Sequence, residues 1–325
     1  MAPTAQPAEV RHIDAFGSYL ASFEIALQAE NRSVQTIRTY RWGLLRLRDW
    51  LAQQGRPTDP TEVTRNDIRG FMADMLGTHA ETSVAGAFAG IHRFFTWLAA
   101  EEPELLPHSP TEGLHAPKLH DKPVTFLSDA EIVAMLKACA GADFEARRDT
   151  AIIRVGIDCG LRRAEFAWLA LEDVDITNRV LSVKGKGGHL ATVYIGARTA
   201  QALDRYIRTR SRHPKAEAVV ERTGVGGERQ RVHPLFLSAR GGLTPEGVHD
   251  MVQRRAAQAG IARKVTTHQL RHHFADALKS AGASDEDVMR LGRWRDPRIM
   301  RRYASSAADR RAQATHARLS PGDRL

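Results

Sequence analysis

Hydrophobic residues recur at helical spacing through the first third of the chain. In SVQTIRTYRWGLLRLRDWL, apolar side chains follow one another at steps of three or four, so they form one stripe along a helix. Thr64 is placed to cap a further amphipathic segment, and Ser83 another. With an opening helix around residues 11–29, the pattern predicts a bundle of about four helices, an N-terminal domain spanning 11–105. The stripe in the quoted segment consists of Ile37, Tyr40, Leu44, Leu47 and Leu51.

Residues 106–123, LPHSPTEGLHAPKLHDKP, interrupt this pattern. They contain four prolines and one glycine, and their apolar residues follow no period. We therefore expect a linker. A plain tether is the simplest interpretation, and Lys118 is a candidate DNA contact within it.

Helical spacing returns after the linker and is interrupted by one segment with strand spacing. SDAEIVAMLKAC opens with a capping box, Ser128 and Glu131, and Gly160 is typical of a helix C-terminus. RVLSVKGKGGHLATVYIG instead alternates on both sides of a glycine-rich centre, which predicts a β-hairpin. Further helical segments follow, among them TPEGVHDMVQRRAAQAG with a threonine cap. The sequence thus predicts a mainly α protein with a small antiparallel β-sheet, and a second domain over 124–304.

Composition and charge narrow the function. The chain has 325 residues and a formal net charge of +9, so a polyanion is its natural partner. Nucleic acid leads because arginine suits bidentate phosphate contacts, although an arginine-rich composition alone carries little weight. A signal peptide and a run of about 18 apolar residues are both missing, so we expect a cytoplasmic protein with no membrane partner. Cys139 and Cys159 lack metal-ligand spacing, and we expect both to be small buried residues.

Three short motifs carry side chains suited to phosphate chemistry. In HQLRHHF, His268 and Arg271 are three residues apart and would share a helix face. In GLRRAEF, Glu165 follows Arg162 by one turn and can hold its guanidinium in a fixed orientation. Lys186 lies in the centre of the predicted hairpin, where KGKGG lacks the spacing of a phosphate-binding P-loop. Taken singly, these motifs also fit a surface patch, a structural ion pair and a turn.

In sequence order, six residues resemble the tyrosine recombinases, the phage integrase and Xer family. The motifs of that family run Arg, Lys on a β-hairpin, HxxR, His or Trp, and Tyr. One departure is LGRW, where the family commonly has LGH. Trp294 lies nine residues before Tyr303, so we assign the fifth position to Trp294 and keep Arg293 as the alternative. The six residues are Arg162, Lys186, His268, Arg271, Trp294 and Tyr303.

The resemblance implies a fold and a mechanism. The fold is an N-terminal helical core-binding (SAM-like) bundle joined to a tyrosine-recombinase catalytic domain. Attack on a phosphodiester concentrates negative charge on its non-bridging oxygens, which the two arginines would clamp with help from the histidine and the tryptophan. A phenol, with a pKa of about 10, needs a proton acceptor, and His268 is the candidate. Lys186 would protonate the departing 5′-oxygen, leaving a 3′-phosphotyrosine on Tyr303 without metal, ATP or another cofactor.

The resemblance also implies partners, and it leaves alternatives open. We expect double-stranded DNA with inverted core-type sites, bound by a homotetramer or by a hetero-tetramer with a related recombinase. Residues 305–325 would form a tail passed between subunits, and Arg38 and Arg41 are candidate DNA contacts. An integrase of a mobile element is the first expectation, and Xer-type resolution of chromosome or plasmid dimers is the second. A type IB topoisomerase-like enzyme, a telomere resolvase and a non-catalytic DNA-binding protein are further alternatives.

Overall fold

The chain divides into two compact units, Met1–Lys122 and Pro123–Leu325. No helix in the described part of the chain is long and apolar enough to cross a bilayer. Two of the predicted site residues, Lys186 and Tyr303, lie outside the described residues, as does the stretch 305–312 of the predicted tail. The computed structural model describes residues 15–120, 125–185, 190–223, 228–297, 300, 313 and 315–324.

The first unit is a helical bundle whose core contains the predicted apolar stripe. Leu44, Leu47 and Leu51 are completely buried, and Ile37 and Tyr40 are half-buried against the same core. The bundle of about four helices that the spacing predicted is therefore confirmed. Its helices are α1 (Ala15–Ala29), α2 (Val34–Gln53), α3 (Arg65–Thr78) and α4 (Glu81–Glu101), with a short 3-10 turn at Pro60–Glu62.

The helix starts in this unit follow capping chemistry with one exception. Thr64 caps α3 as predicted, in a reciprocal capping box with Asp67. The prediction that α4 starts behind Ser83 is wrong, because the helix begins at Glu81 after the N-cap residue Ala80. Ala80 makes no side-chain cap, but the carboxylate of Glu81 in the first turn complements the positive end of the helix dipole.

Part of the predicted linker packs against the first unit. Leu106 is buried in its core, and the buried Thr111 hydroxyl lies 2.8 Å from Nδ1 of His92. Further along, the backbone N–H of His120 donates to a carboxylate oxygen of Glu81 at 2.9 Å. Residues on either side of Lys118, itself exposed, are thus attached to the helices of this unit.

The described part of the second unit includes seven helices, and the predicted end signals are present. Ser128 and Glu131 form the capping box at α5, and Thr244 caps α9. Cys139 and Cys159 are both buried, as expected, and burial raises the pKa of the Cys139 thiol to about 11. The helices are α5 (Asp129–Ala138), α6 (Phe144–Cys159), α7 (Arg163–Trp168), α8 (Ala197–Arg210), α9 (Pro245–Gln258), α10 (Thr267–Ser280) and α11 (Asp285–Gly292), with 3-10 turns at Leu171–Asp173 and Gly322–Arg324.

Three small antiparallel sheets complete the described part of this unit. The predicted hairpin is present, with Val180 opposite Tyr194 and Lys184 opposite Leu190. This confirms a mainly α fold with a small antiparallel sheet, to which the structure adds two short ribbons that the sequence pattern did not predict. The strands are β1 (Val174–Asp175), β2 (Val180–Lys184) and β3 (Leu190–Tyr194) in one sheet, β4 (Val220–Thr223) with β5 (Arg229–Val232), and β6 (Leu237–Ser238) with β7 (Gly241–Gly242).

Candidate active site

The site begins where α6 ends and α7 starts. Gly160 has a left-handed backbone (φ 56°), and a Cβ there would lie 2.6 Å from Cδ1 of Phe274, so glycine is required twice over. The chain then turns at once into α7 with Arg162 as its N-cap residue. Glu165 accepts hydrogen bonds from the backbone N–H of Arg162 at 2.8 Å and from its guanidinium Nη1 at 2.7 Å. The predicted ion pair is therefore present, while the Arg162 side chain stays 37% exposed.

Glu165 also joins this helix start to the end of α11. Its side chain is 5% exposed, and its second oxygen accepts a hydrogen bond from Nη2 of Arg293 at 2.8 Å. Arg293 has a left-handed backbone (φ 57°) and also donates from Nη1 to the carbonyl of Cys159 at 3.4 Å. Its buried Nε has no hydrogen-bond partner among the described residues. Arg293 thus holds Glu165, which in turn orients Arg162.

Helix α10 supplies the HxxR pair. Arg271 is 1% exposed, and its two terminal nitrogens donate to the backbone carbonyls of Gly160 and Gly292. His268, one turn earlier, is exposed. Burial among its neighbours lowers the pKa of His268 below its ordinary 6.5, and the charges of Arg271 and then Arg162 lower it further. The two arginines therefore act electrostatically on the imidazole.

Trp294 completes the cluster from the end of α11. The guanidinium carbon of Arg271 lies 4.2 Å from the centroid of the indole, in a cation–π contact. The indole covers Gly292 so closely that a Cβ at that position would lie 1.9 Å from the ring. The centroid of the indole also lies 6.4 Å from the ring centroid of Phe274. Trp294 is therefore fixed by packing against a glycine and a buried arginine.

The structure brings together five of the side chains that the sequence singled out. They include two guanidiniums and an imidazole that are close enough to interact electrostatically, and the carboxylate among them is already engaged by arginines on both sides. A cluster with this excess of positive charge favours an anion. The ends of β2 and β3 flank residues 186–189, which are outside the described residues and include Lys186. The five side chains are Arg162, Glu165, His268, Arg271 and Trp294.

Sequence reasoning missed three features of the cluster. It considered Arg293 only as an alternative to Trp294, although the guanidinium binds Glu165. It did not single out His272, whose ring lies 4.8 Å from that of His268 in an edge-on contact. It also gave no sign that Arg271 binds backbone carbonyls. Of these, the second histidine of HQLRHHF was visible in the sequence, whereas the other two contacts join residues far apart along the chain.

The candidate DNA contacts of the first unit lie on its surface. Arg38 and Lys118 are exposed. Arg41 is also half-exposed, but its Nη1 donates to a carboxylate oxygen of Glu24 at 2.7 Å. Binding DNA through Arg41 would thus compete with an existing surface ion pair, which typically contributes less than about 1 kcal/mol.

Known proteins resemble the chain along most of its length. The sequence profile of the Phage integrase family matches residues 125–310, and that of the Phage integrase, N-terminal SAM-like domain matches residues 20–102. The chain is 30% identical over 278 residues to Tyrosine recombinase XerC of Ralstonia pickettii, covering 81% of this chain and 82% of that protein. It is 32% identical over 273 residues to Tyrosine recombinase XerC 2 of Ralstonia nicotianae, covering 81% of this chain and 74% of that protein.

Solved structures share the fold. The XerH site-specific recombinase bound to palindromic difH substrate, in a post-cleavage complex, has a TM-score of 0.70 at 17% identity, covering 96% of this chain and 90% of that one. A lambda integrase dimer bound to a COC' core site has a TM-score of 0.67 at 16% identity, covering 93% and 82%. With the profile match and the curated relatives, the conclusion is that this chain belongs to the phage integrase family and is a tyrosine-type site-specific DNA recombinase.

Proposed function

We propose that the protein cleaves and rejoins DNA strands through a 3′-phosphotyrosine intermediate on Tyr303, without metal or ATP. The observation that carries this proposal is the convergence of Arg162, His268 and Arg271, in which the charges of both arginines lower the pKa of the imidazole. Trp294 packs against Arg271 in the same cluster. A scissile phosphate is the anion that this chemistry requires.

In the proposed step, the Tyr303 oxygen attacks the phosphorus while the bond from phosphorus to the 5′-oxygen breaks. His268 takes the phenolic proton, which its lowered pKa allows because the ring is neutral at pH 7. Lys186 gives a proton to the 5′-oxygen, so a free 5′-hydroxyl leaves. The exposed guanidinium of Arg162 contacts the non-bridging oxygens, and the buried charge of Arg271 stabilises them from behind. A 5′-hydroxyl from another strand reverses the step.

The test of the nucleophile is covalent capture of DNA. Full-length protein is incubated with nicked genomic fragments, and protein–DNA adducts are resolved under denaturing conditions. Tyr303→Phe should abolish the adduct and leave DNA binding intact, because it removes one oxygen and no positive charge. Tyr194→Phe, at an exposed tyrosine of β3, is the matched control and should form adducts normally. Adduct formation by the Tyr303→Phe protein would refute the assignment.

The general acid is tested separately with a substrate that needs none. Lys186→Ala should slow cleavage about 10²–10⁴-fold. A substrate with sulfur in place of the bridging 5′-oxygen should restore the rate, because a thiol with a pKa of about 8.5 leaves without protonation. Lys184→Ala, two residues earlier at the end of β2, should need no such rescue. A Lys186→Ala defect that the sulfur substrate leaves unchanged would assign the acid to another residue, His268 first.

We also propose that the protein acts as a tetramer on inverted core-type sites in double-stranded DNA, with residues 305–325 passed between subunits. Support comes from fold relatives that include a lambda integrase tetramer bound to a Holliday junction, with a TM-score of 0.63 at 17% identity. Arg38, Arg41 and Lys118 are proposed to contact DNA from the first unit. Deleting 305–325 should spare DNA binding and impair strand exchange, and unchanged strand exchange would contradict the proposed tail role.

Two biological roles remain as proposals. The motif LGRW, which departs from the usual LGH, favours an integrase of a mobile element. The name XerC on several curated relatives instead supports Xer-type resolution of chromosome or plasmid dimers. Sequencing the DNA ends of adducts formed in cells separates them. Adducts at one fixed chromosomal or plasmid site support dimer resolution, and adducts at the ends of an element support integration.

A further inference from the structure

A groove lined by arginines runs along the surface of the second unit, between α6 and α8. Its volume is about 450 Å³. Each helix contributes two arginines seven residues apart, which corresponds to about 10 Å along a helix axis. Thr150 and Gln201 lie between them. The four arginines are Arg147 and Arg154 on α6 and Arg198 and Arg205 on α8.

The positive charge of this arginine groove is not balanced by its described lining residues. Its described lining contains no aspartate or glutamate. Arg147 donates to the hydroxyl of Thr209 at 2.7 Å, which fixes one guanidinium. The guanidiniums of the other three make no hydrogen bond or ion pair with any described residue. Arg208, one turn beyond Arg205, instead pairs with Asp204 at 2.8 Å. Four guanidiniums around one groove repel one another, and an anion in the groove would relieve that repulsion.

The arginine groove is separate from the catalytic cluster. An α-helix turns by about 100° per residue, so Gly156 points to nearly the opposite side of α6 from Arg154. A Cβ on Gly156 would meet Leu270 of α10 at 2.9 Å and Phe166 of α7 at 3.3 Å. Helices α7 and α10, which carry the cluster, therefore pack on one side of α6, and the groove opens on the other.

We propose that the arginine groove binds the phosphodiester backbone of a second DNA segment while the catalytic cluster holds the first. Guanidiniums stay charged and pair with phosphate oxygens in a planar, bidentate manner. Two rows about 10 Å long, with polar side chains between them, suit a chain that carries one charge per nucleotide. DNA is also the polyanion on which this enzyme family acts. The site would tether a duplex to the protein without reading its sequence.

Cross-linking from inside the groove tests the proposal. Gln201→Cys places a thiol there for a photo-reactive label, and the two natural cysteines are buried with raised thiol pKa values, so labelling is selective. Full-length protein is first bound to an immobilised random-sequence duplex, and a second, fluorescent duplex is then offered. We expect cross-links to the second duplex. The same label on Ala257→Cys, at an exposed position of α9, should give none.

Charge removal supplies the second measurement. Arg198→Ala with Arg205→Ala should remove most of the cross-linking. It should also make the negative slope of log affinity against log salt shallower by about 2. The matched control is Arg208→Ala with Arg229→Ala, which removes two arginines that already pair with carboxylates outside the groove. The proposal would be overturned by an equal loss of cross-linking in both double variants, or by cross-links to the first duplex only. Displacement of the second duplex by polyglutamate but not by other DNA would also overturn it. Covalent adducts at Tyr303, measured in parallel, should be unchanged, so failure of the proposed mechanism would be recognised separately.

Discussion

Glu165 links two arginines from distant parts of the chain, and replacing it tests whether the cluster depends on that link. Its carboxylate accepts three hydrogen bonds, two from Arg162 and one from Arg293. In Glu165→Gln, one oxygen becomes an amide nitrogen that must face an N–H donor. At least one charge-assisted bond is lost and one donor contact becomes repulsive. A hydrogen bond to a charged group contributes about 1.5–3 kcal/mol, so we expect a loss of about 3 kcal/mol of unfolding free energy.

The expected loss is measurable by thermal unfolding. For a unit of roughly this size, 3 kcal/mol corresponds to a fall in Tm of about 6–12 °C. Glu246→Gln is the matched control, because Glu246 is 70% exposed and lies 3.6 Å from Arg163, the residue next to Arg162. It should change the unfolding free energy by less than about 0.5 kcal/mol.

A positioning role also predicts an effect on catalysis that exceeds the effect on folding. At a temperature where both proteins are folded, adduct formation by Glu165→Gln should be about 10²-fold slower, because Arg162 loses its fixed orientation. The binding of uncleaved DNA should change little. A Glu165→Gln protein with the Tm of the wild type would refute the structural reasoning, and one with a normal rate of adduct formation would refute the role of Arg162.

Three further outcomes follow from the geometry. The pKa of His268 is lowered from 6.5, so the rate of adduct formation should stay constant as pH falls through 6.5 and decline only through the lower folded-state pKa. A pH–rate profile that already declines at 6.5 or above would contradict this. Gly292→Ala should displace the indole of Trp294, because the new Cβ would lie 1.9 Å from it, and should lower the Tm and abolish adducts together. Gly90→Ala should destabilise the first unit, because the new Cβ would lie 2.8 Å from the backbone of α2. Gly77→Ala on α3 meets nothing within 4 Å and should raise the unfolding free energy by about 0.5–1 kcal/mol. Denaturant unfolding measures both.

The elements that sequence reasoning found are those encoded by neighbouring residues. The α2 stripe is buried where its spacing placed it, and the capping boxes at Thr64 and Ser128 use residues three positions apart. Alternation also located β2 and β3. The ribbon of β6 and β7 has two residues in each strand, which is too short for any period to be visible.

Part of the candidate site could be predicted from the sequence, for the same reason. Motif order identified Arg162, His268 and Arg271, and local spacing identified the pairing of Arg162 with Glu165. The burial of Arg271 was not predictable, because the carbonyls that it binds lie 111 residues before it and 21 residues after it. Such contacts are set by how α6, α10 and α11 pack, and no local pattern records that packing.

The contact between Glu165 and Arg293 spans 128 residues of chain, which has a consequence during translation. At about 5–20 residues per second, a ribosome needs about 6–26 s to add Arg293 after Glu165. Throughout that interval the nascent chain contains Glu165 but not yet Arg293, its second arginine partner. Arg271 is likewise added before Gly292, whose carbonyl it binds. The cluster around Arg162 therefore cannot be complete before Arg293 has been added to the chain. Its two charged contacts with the end of α11 form after synthesis of the other helices that carry it.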